Sequence, residues 1–174
     1  MFKVGFAYDS HRFVKDRKLF LGGVEIRSDY GLQGHSDADV LLHALMDALL
    51  GAVGSGDIGT HFPDDDPQYR NISSLKLLSK VKKEVEKKNF VVNNCDLVVV
   101  AEKPKLKPYR NRIVLSIANN LGIDNDKINL KATTNEKMGF VGREEGMAAF
   151  AVVSVIEGKL WRFFKTLKME GSIK

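Results

Sequence analysis

The first run of apolar positions, from Lys3 to Ala7, reads as a short strand. From Lys18 to Ile26, β-forming residues flank Gly22 and Gly23, a pair that permits the positive φ of a tight hairpin. The period then lengthens. Ser36 or Asp37 can cap a helix running to about Leu50, on which Leu41, Leu42, Leu45, Ala48 and Leu49 form a wide apolar face, with Gly51 as its stop. Ser73 or Ser74 caps a second helix, with Leu75, Leu78, Val81 and Val85 inward and a solvated, lysine-rich outer face. Arg110 to Leu121 is helical with Gly122 as its stop, while Val91 to Glu102, Ile128 to Ala132 and Gly146 to Ile156 are strand-like.

The order β, α, α, β, α, β, β places the chain in the α/β class, as an α+β sandwich: a single mixed β-sheet with helices packed on one face. The other face is then apolar and lacks cover, and self-association is the economical way to supply it. Gly54 to Tyr69 has no periodicity, holds two prolines and the run Asp64, Asp65, Asp66, and is long for a passive connection. It is expected to serve as a substrate lid or wall.

With 174 residues, 44% of them hydrophobic, the chain is long enough for one buried core. The net charge of +5 would suggest a nucleic-acid partner if it were spread over a groove. It is not: Lys159, Arg162, Lys165, Lys168 and Lys174, against Glu170, carry four of the five net charges, so the body up to Gly158 is close to neutral. Residues 1–158 are therefore read as the functional domain and 159–174 as a basic, aromatic extension. Cys95 is the only cysteine, so no internal disulfide forms. With no basic leader before the strand at Met1 to Tyr8 and no apolar run of membrane-spanning length, a cytoplasmic location without membrane insertion is expected.

Asp9 and His11 flank Ser10, so in an extended chain both point to one side, at a spacing that lets a carboxylate oxygen and an imidazole nitrogen share a cation. The same spacing is common in surface pairs. Asp39, His43 and Asp47 recur every four residues and form one polar stripe on a leucine-rich helix. That stripe is either a solvent-facing band, or it makes His43 a third metal ligand oriented by a carboxylate. Asp, His and His would leave a tetrahedral zinc one vacant position, the catalytic arrangement. Further on, Lys131-Ala132-Thr133-Thr134-Asn135-Glu136 leaves a strand, and Gly139-Phe140-Val141-Gly142-Arg143 follows it. This is either a polar turn or a phosphate site in which Glu136 holds a hard cation and Arg143 adds a fixed positive fork. There is no phosphate-binding loop ending in Gly-Lys-Ser, no dinucleotide turn and no nucleophile elbow.

The runs YDSHRF, GHSDADVLLHALMDALLGAVGSGDIGTHFPDDDP, AEKPKLKPY and KATTNEKMGFVGREEG, in that order, resemble the 2-C-methyl-D-erythritol 2,4-cyclodiphosphate synthase family over about residues 3 to 157. The resemblance implies a homotrimer with active sites at the subunit interfaces, its packing covering the open sheet face. It implies zinc on Asp9, His11 and His43, transition-state stabilisation by His35 and Thr134, and magnesium or manganese on Glu136 between substrate phosphates. The sugar-like end of the substrate would meet Ser36, Asp57, Ile58, Gly59, Phe62, Pro63, Asp64, Asp65 and Asp66. The cytidine end would lie against Ala101, Glu102, Lys103, Pro104, Lys105, Leu106 and Lys107 and against Ala132, Thr133 and Thr134. Ser10, Asn135, Phe140 and Arg143 complete the expected substrate contacts, and Arg143 with Glu145 would meet an isoprenoid diphosphate in the trimer cavity.

The reaction so implied converts 4-diphosphocytidyl-2-C-methyl-D-erythritol 2-phosphate to the cyclic diphosphate and CMP, in the non-mevalonate route to isoprenoids. Its rivals are a metal-dependent diphosphate hydrolase and a non-catalytic trimeric binding protein. Two departures from the family stand out: Ala7 where glycine is usual, expected to cause only a small local adjustment, and the segment beyond Gly158.

Overall fold

In the computed structural model, residues 1–169 are described, with side chains described through Leu167. The elements run β1 (Phe2–Lys15), β2 (Leu19–Leu21), β3 (Val24–Ile26), β4 (Tyr30–Leu32), α1 (Val40–Val53), α2 (Ile58–His61), α3 (Ser74–Lys87), β5 (Phe90–Val100), α4 (Arg110–Leu121), β6 (Ile128–Thr133), α5 (Gly139–Gly142), β7 (Gly146–Glu157) and α6 (Gly158–Met169). Five strands form one sheet in the order β4-β1-β7-β5-β6, and β2 with β3 makes the expected hairpin. The sheet is mixed: β5 and β6 are parallel, joined across α4, while the other neighbours are antiparallel.

Several boundaries differ from those read in the sequence, each for a local reason. β1 continues through Asp9 and His11 to Lys15 because β7 pairs with it from Phe2 to Arg12 and β4 from Phe13 to Lys15, so the candidate ligands lie inside the strand rather than after it. Helix α1 is capped by Asp39, not Ser36 or Asp37; it passes through Gly51 and ends at Gly54, whose φ of 69° is the left-handed geometry that closes a helix. On α3, Leu77 rather than Leu75 is buried; Leu75 packs beside Gly23 at the margin. Gly54 to Tyr69 is not wholly irregular, since Asp57 caps the short α2 and Asp66 caps a single 3-10 turn, Pro67–Tyr69.

Alternation along β1 divides the sheet into two unlike faces. Gly5, Ala7, Asp9 and His11 look towards α1, whereas Phe2, Val4, Phe6 and Tyr8 look the other way and remain exposed, Val4 and Phe6 by 68% and 65%. Phe150 packs against Tyr8 with ring centroids 4.9 Å apart and the rings tilted by 50°, and Val152 extends the same apolar surface. Helices α1, α3 and α4 cover only the inner face, as the sequence led us to expect. Gly5 explains how closely α1 comes: a Cβ there would stand 1.8 Å from the carbonyl oxygen of Ala48. Backbone contact at that point carries His43, five residues earlier on the helix, over the inner face of β1. Ala7, by contrast, sits within unbroken pairing to Ala151 and packs against the core. No helix among the described residues is long and apolar enough to cross a membrane.

Candidate metal centre and substrate cleft

Asp9, His11 and His43 converge. Asp9 Oδ2 lies 3.0 Å from His11 Nε2 and 3.3 Å from His43 Nδ1, and the two ring nitrogens are 3.0 Å apart. Neighbouring groups fix the proton on each ring. The carbonyl oxygen of Gln33, 2.7 Å from His11 Nδ1, can only accept, so Nδ1 carries the hydrogen and Nε2 turns its lone pair inward. His43 Nε2 meets Ser36 Oγ and Ser74 Oγ, each at 3.1 Å. The Ser74 hydroxyl donates to the Asp37 carboxylate, so it accepts from His43, whose Nδ1 also presents a lone pair.

Three acceptors thus face one another, and Asp9 Oδ2 is buried with no aligned hydrogen-bond donor. Its other oxygen is engaged by the Ser10 backbone N–H at 2.8 Å. Burial pushes the Asp9 carboxyl up, but the two imidazoles overcome it and hold the group well below the usual carboxylate range. Burial pushes His11 down, Asp9 pushes it up, and the net shift is upward. The two shifts express one attraction: the fold favours the Asp9 carboxylate and a positive charge beside it. A cation with an affinity for nitrogen and oxygen together satisfies all three atoms at once, and the three residues form a group that could hold a metal ion.

The Asp39, His43, Asp47 stripe is not a solvent band, because Asp39 is fully buried and His43 nearly so. Nor does a stripe carboxylate orient His43. The Asp39 carboxylate accepts the N–H groups of Gly22, Gly23 and Leu42, tying the hairpin turn to the start of α1. Burial pushes its pKa up to about 6, against the pull of the Gly23 N–H, and the nearby Asp37 adds to the rise. Asp47 accepts the Ile58 N–H at 2.7 Å, anchoring the loop that carries Asp57, Ile58 and Gly59. The orienting carboxylate is Asp37, acting on His43 through Ser74.

His35 is half-buried beyond β4, where its Nε2 reaches the Asp66 carbonyl at 3.2 Å and joins the two substrate-wall loops. Phe62 packs edge-on against Tyr69, while Pro63, Asp64 and Asp65 are exposed. Ser10 points to the opposite sheet face, away from the cluster. Thr134 Oγ1 donates to Glu136 at 2.6 Å, in a loop held in shape by Glu102, which accepts the N–H groups of Asn135 and Lys137. Glu136 and Lys137, at φ of 50° and 61°, are both left-handed. Phe140 is exposed, and Arg143 pairs with Glu145 at 2.8 Å. Ala101, Pro104, Lys105 and Leu106 come together with Ala132, Thr133 and Thr134 around a cleft of about 200 Å³; Lys103 and Lys107 stand exposed nearby.

Cluster and cleft share one row of the sheet, since Asp9 pairs with Ala149, Ala149 with Val99, and Val99 with Ala132. Three strand spacings separate them by about 14 Å. None of the metal-centre residues lines the cleft.

The YgbB family profile matches residues 2–156. The chain belongs to the YgbB family. It is 55% identical over 157 residues to the 2-C-methyl-D-erythritol 2,4-cyclodiphosphate synthase of Halothermothrix orenii, covering 90% of this chain and 95% of that one. Among solved structures, the bifunctional IspDF of Campylobacter jejuni superposes with a TM-score of 0.87 at 42% identity; the match takes in 91% of this chain and 44% of that longer one. A CDP complex of IspF from Plasmodium falciparum superposes with a TM-score of 0.78 at 34% identity, covering 90% of this chain and 96% of that one.

Two contributors to this YgbB-family site were missed in the sequence. Ser74 reads there as a helix cap, with nothing to show that its hydroxyl meets His43. Arg17 lies in a stretch with no motif, yet its guanidinium donates to the carbonyls of Gly34 and Ser36, both at 2.7 Å, on either side of His35. Arg17→Gln is expected to lower turnover tenfold to about a hundredfold by loosening that loop, while metal content stays unchanged. Steady-state kinetics beside metal analysis test this, and unaltered kinetics would remove Arg17 from the positioning set. Cys95 is buried and its thiol is pushed up to about 12 by that burial, so it stays a protonated thiol at neutral pH and is no candidate nucleophile.

Proposed function

We propose that this chain cyclises 4-diphosphocytidyl-2-C-methyl-D-erythritol 2-phosphate to 2-C-methyl-D-erythritol 2,4-cyclodiphosphate, releasing CMP, as a phosphorus-oxygen lyase of non-mevalonate isoprenoid precursor synthesis. The observation that carries this reading is the buried Asp9, His11, His43 cluster in a chain so similar to a synthase of that name. An oxygen of the 2-phosphate attacks the β-phosphorus, a new P–O bond closes the ring, and the bond to the CMP oxygen breaks. The attacking oxygen is already anionic at neutral pH, so the site needs no general base. It must fold a flexible polyanion back on itself and stabilise charge on the phosphoryl oxygens.

Asp9, His11 and His43 would hold zinc, which when bound supplies a Lewis acid for a phosphate oxygen. His35 and Thr134, which rest on the Asp66 carbonyl and on Glu136 in this structure, would turn to donate to phosphoryl oxygens, and Glu136 would hold the magnesium that accompanies the substrate phosphates. The cleft between Ala101 to Lys107 and Ala132 to Thr134 takes the cytidine end, a placement supported by CDP in the Plasmodium falciparum relative. Residues 1–158 make up the catalytic domain, and 159–174 are an extension of it; positions 170–174 lie outside the described residues. Phosphorus NMR after incubation with the cytidyl substrate and magnesium tests the reaction. CMP with a cyclic diphosphate is expected, whereas an acyclic phosphate product would make the protein a hydrolase.

Metal centre and cleft stand about 14 Å apart in one chain, and one face of the sheet carries an uncovered band of Phe2, Val4, Phe6, Tyr8 and Val152. Both features support a homotrimer in which each active site joins two copies. Arg143 and Glu145, paired near one end of that face, would meet the isoprenoid diphosphate. Sedimentation equilibrium is expected to give the trimer mass; a folded monomer with full turnover would sink this assembly. The buried, unpaired Cys95 supports a cytoplasmic location.

A further inference from the structure

Helix α6 lies beyond the residues that match the YgbB family, and none of its described side chains is buried. Leu160, Phe163, Phe164 and Leu167 recur at intervals of three, one and three, and so form one stripe along the helix. The chain leaves that stripe open: Phe163 and Phe164 are 58% and 42% exposed. Trp161 is turned to the body, where it lines a cavity with Val92, Gly122 and Ile123, and Phe164, at the margin of the stripe, edges a neighbouring cavity with Phe2 and Ile156, so Leu160, Phe163 and Leu167 are the stripe's outer part. Lys165 lies over the Trp161 ring at 4.9 Å, and Lys159 and Arg162 share the same polar side. Between Lys159 and Leu167 there is no acidic residue.

Charge decides what covers this stripe. A second copy that set its own α6 against this stripe would bring the same three cations with it, with no carboxylate on the helix between Lys159 and Leu167 to answer them. An anionic lipid surface answers both halves of the helix, accepting the aromatic stripe between its headgroups and attracting the flanking cations. We infer that α6 is an interfacial helix that docks the protein flat on the surface of an anionic phospholipid membrane. The catalytic domain has no part in this contact, and the inference stands whether or not the proposed reaction does.

The test uses the full chain with two vesicle types, pure phosphatidylcholine and phosphatidylcholine mixed with phosphatidylglycerol. The protein is expected to sediment with the mixed vesicles and not with the pure ones. Raising salt from about 0.05 M to about 0.5 M is expected to reduce the bound fraction about tenfold. Phe163→Glu, at the most exposed aromatic of the helix, should reduce vesicle binding at least tenfold while turnover and assembled mass stay as in the parent chain. Trp161, the only tryptophan, gives a second readout through its emission shift on adding the mixed vesicles. Absence of binding to the mixed vesicles at low salt would overturn the inference. So would loss of assembled mass in Phe163→Glu, because the stripe would then belong to a contact between copies.

Discussion

His43→Ala is expected to reduce bound metal more than about a hundredfold at fixed free metal, and turnover with it, because loss of a ligand costs more than loss of the partner that orients one. The physical reason lies in the convergence of three lone pairs. With His43 gone, Asp9 and His11 come from one strand at one spacing, and two ligands do not define a tetrahedron. The imidazole is replaced by a methyl that leaves Ser36 and Ser74 without their shared partner. Assembly should survive, since His43 is on the helix-covered face of the sheet and the apolar band is on the other. Ser74→Ala is the graded control: it keeps the ligand but breaks the path to Asp37, and a tenfold to hundredfold weakening of metal binding is expected. Metal content by mass spectrometry, read beside turnover and sedimentation, separates these effects. Full metal occupancy and near-normal turnover in His43→Ala would remove the residue from the ligand set.

Sequence pattern was most legible where period and punctuation agreed. Arg110 to Leu121 with Gly122 was read to the residue, because the apolar period and the left-handed stop coincide there. For the Asp9, His11, His43 cluster, strand alternation put the first two on one side and the stripe offered the third, but spacing alone left the solvent-facing readings open and it was the family resemblance that joined the three. Side-chain partners were harder to read. Asp39, His43 and Asp47 look equivalent along the helix, yet they cap a turn, face the metal centre and anchor a loop, respectively. Helical spacing shows which residues share a face and says nothing of what is packed opposite. The same blindness hid Arg17, whose partners are backbone carbonyls and so leave no trace in residue type. Glycine punctuation misled once: Gly51 resembles a stop but has helical geometry, and Gly54 is the residue with positive φ.

The largest stability effect is expected at Asp39. Its carboxylate accepts three backbone N–H groups, from Gly22, Gly23 and Leu42, and Asp39 is wholly buried. Asp39→Ala removes a helix cap and leaves the hairpin turn's N–H groups without an acceptor, which together should cost about 3–5 kcal/mol. Asp39→Asn keeps one acceptor oxygen but turns an NH₂ towards a donor, so it should fall between the parent and the alanine variant. Because the folded pKa is raised to about 6, the protonated carboxyl is favoured by the fold. This group's contribution is therefore greatest in acid and declines as pH rises from the usual carboxylate range through about 6, a dependence absent from Asp39→Asn. Chemical denaturation of parent and variants at several pH values, with metal removed to isolate the fold, reads both effects. A loss under about 1 kcal/mol for Asp39→Ala would mean that water replaces the carboxylate at the turn, and that the hairpin and α1 are held together by apolar packing alone.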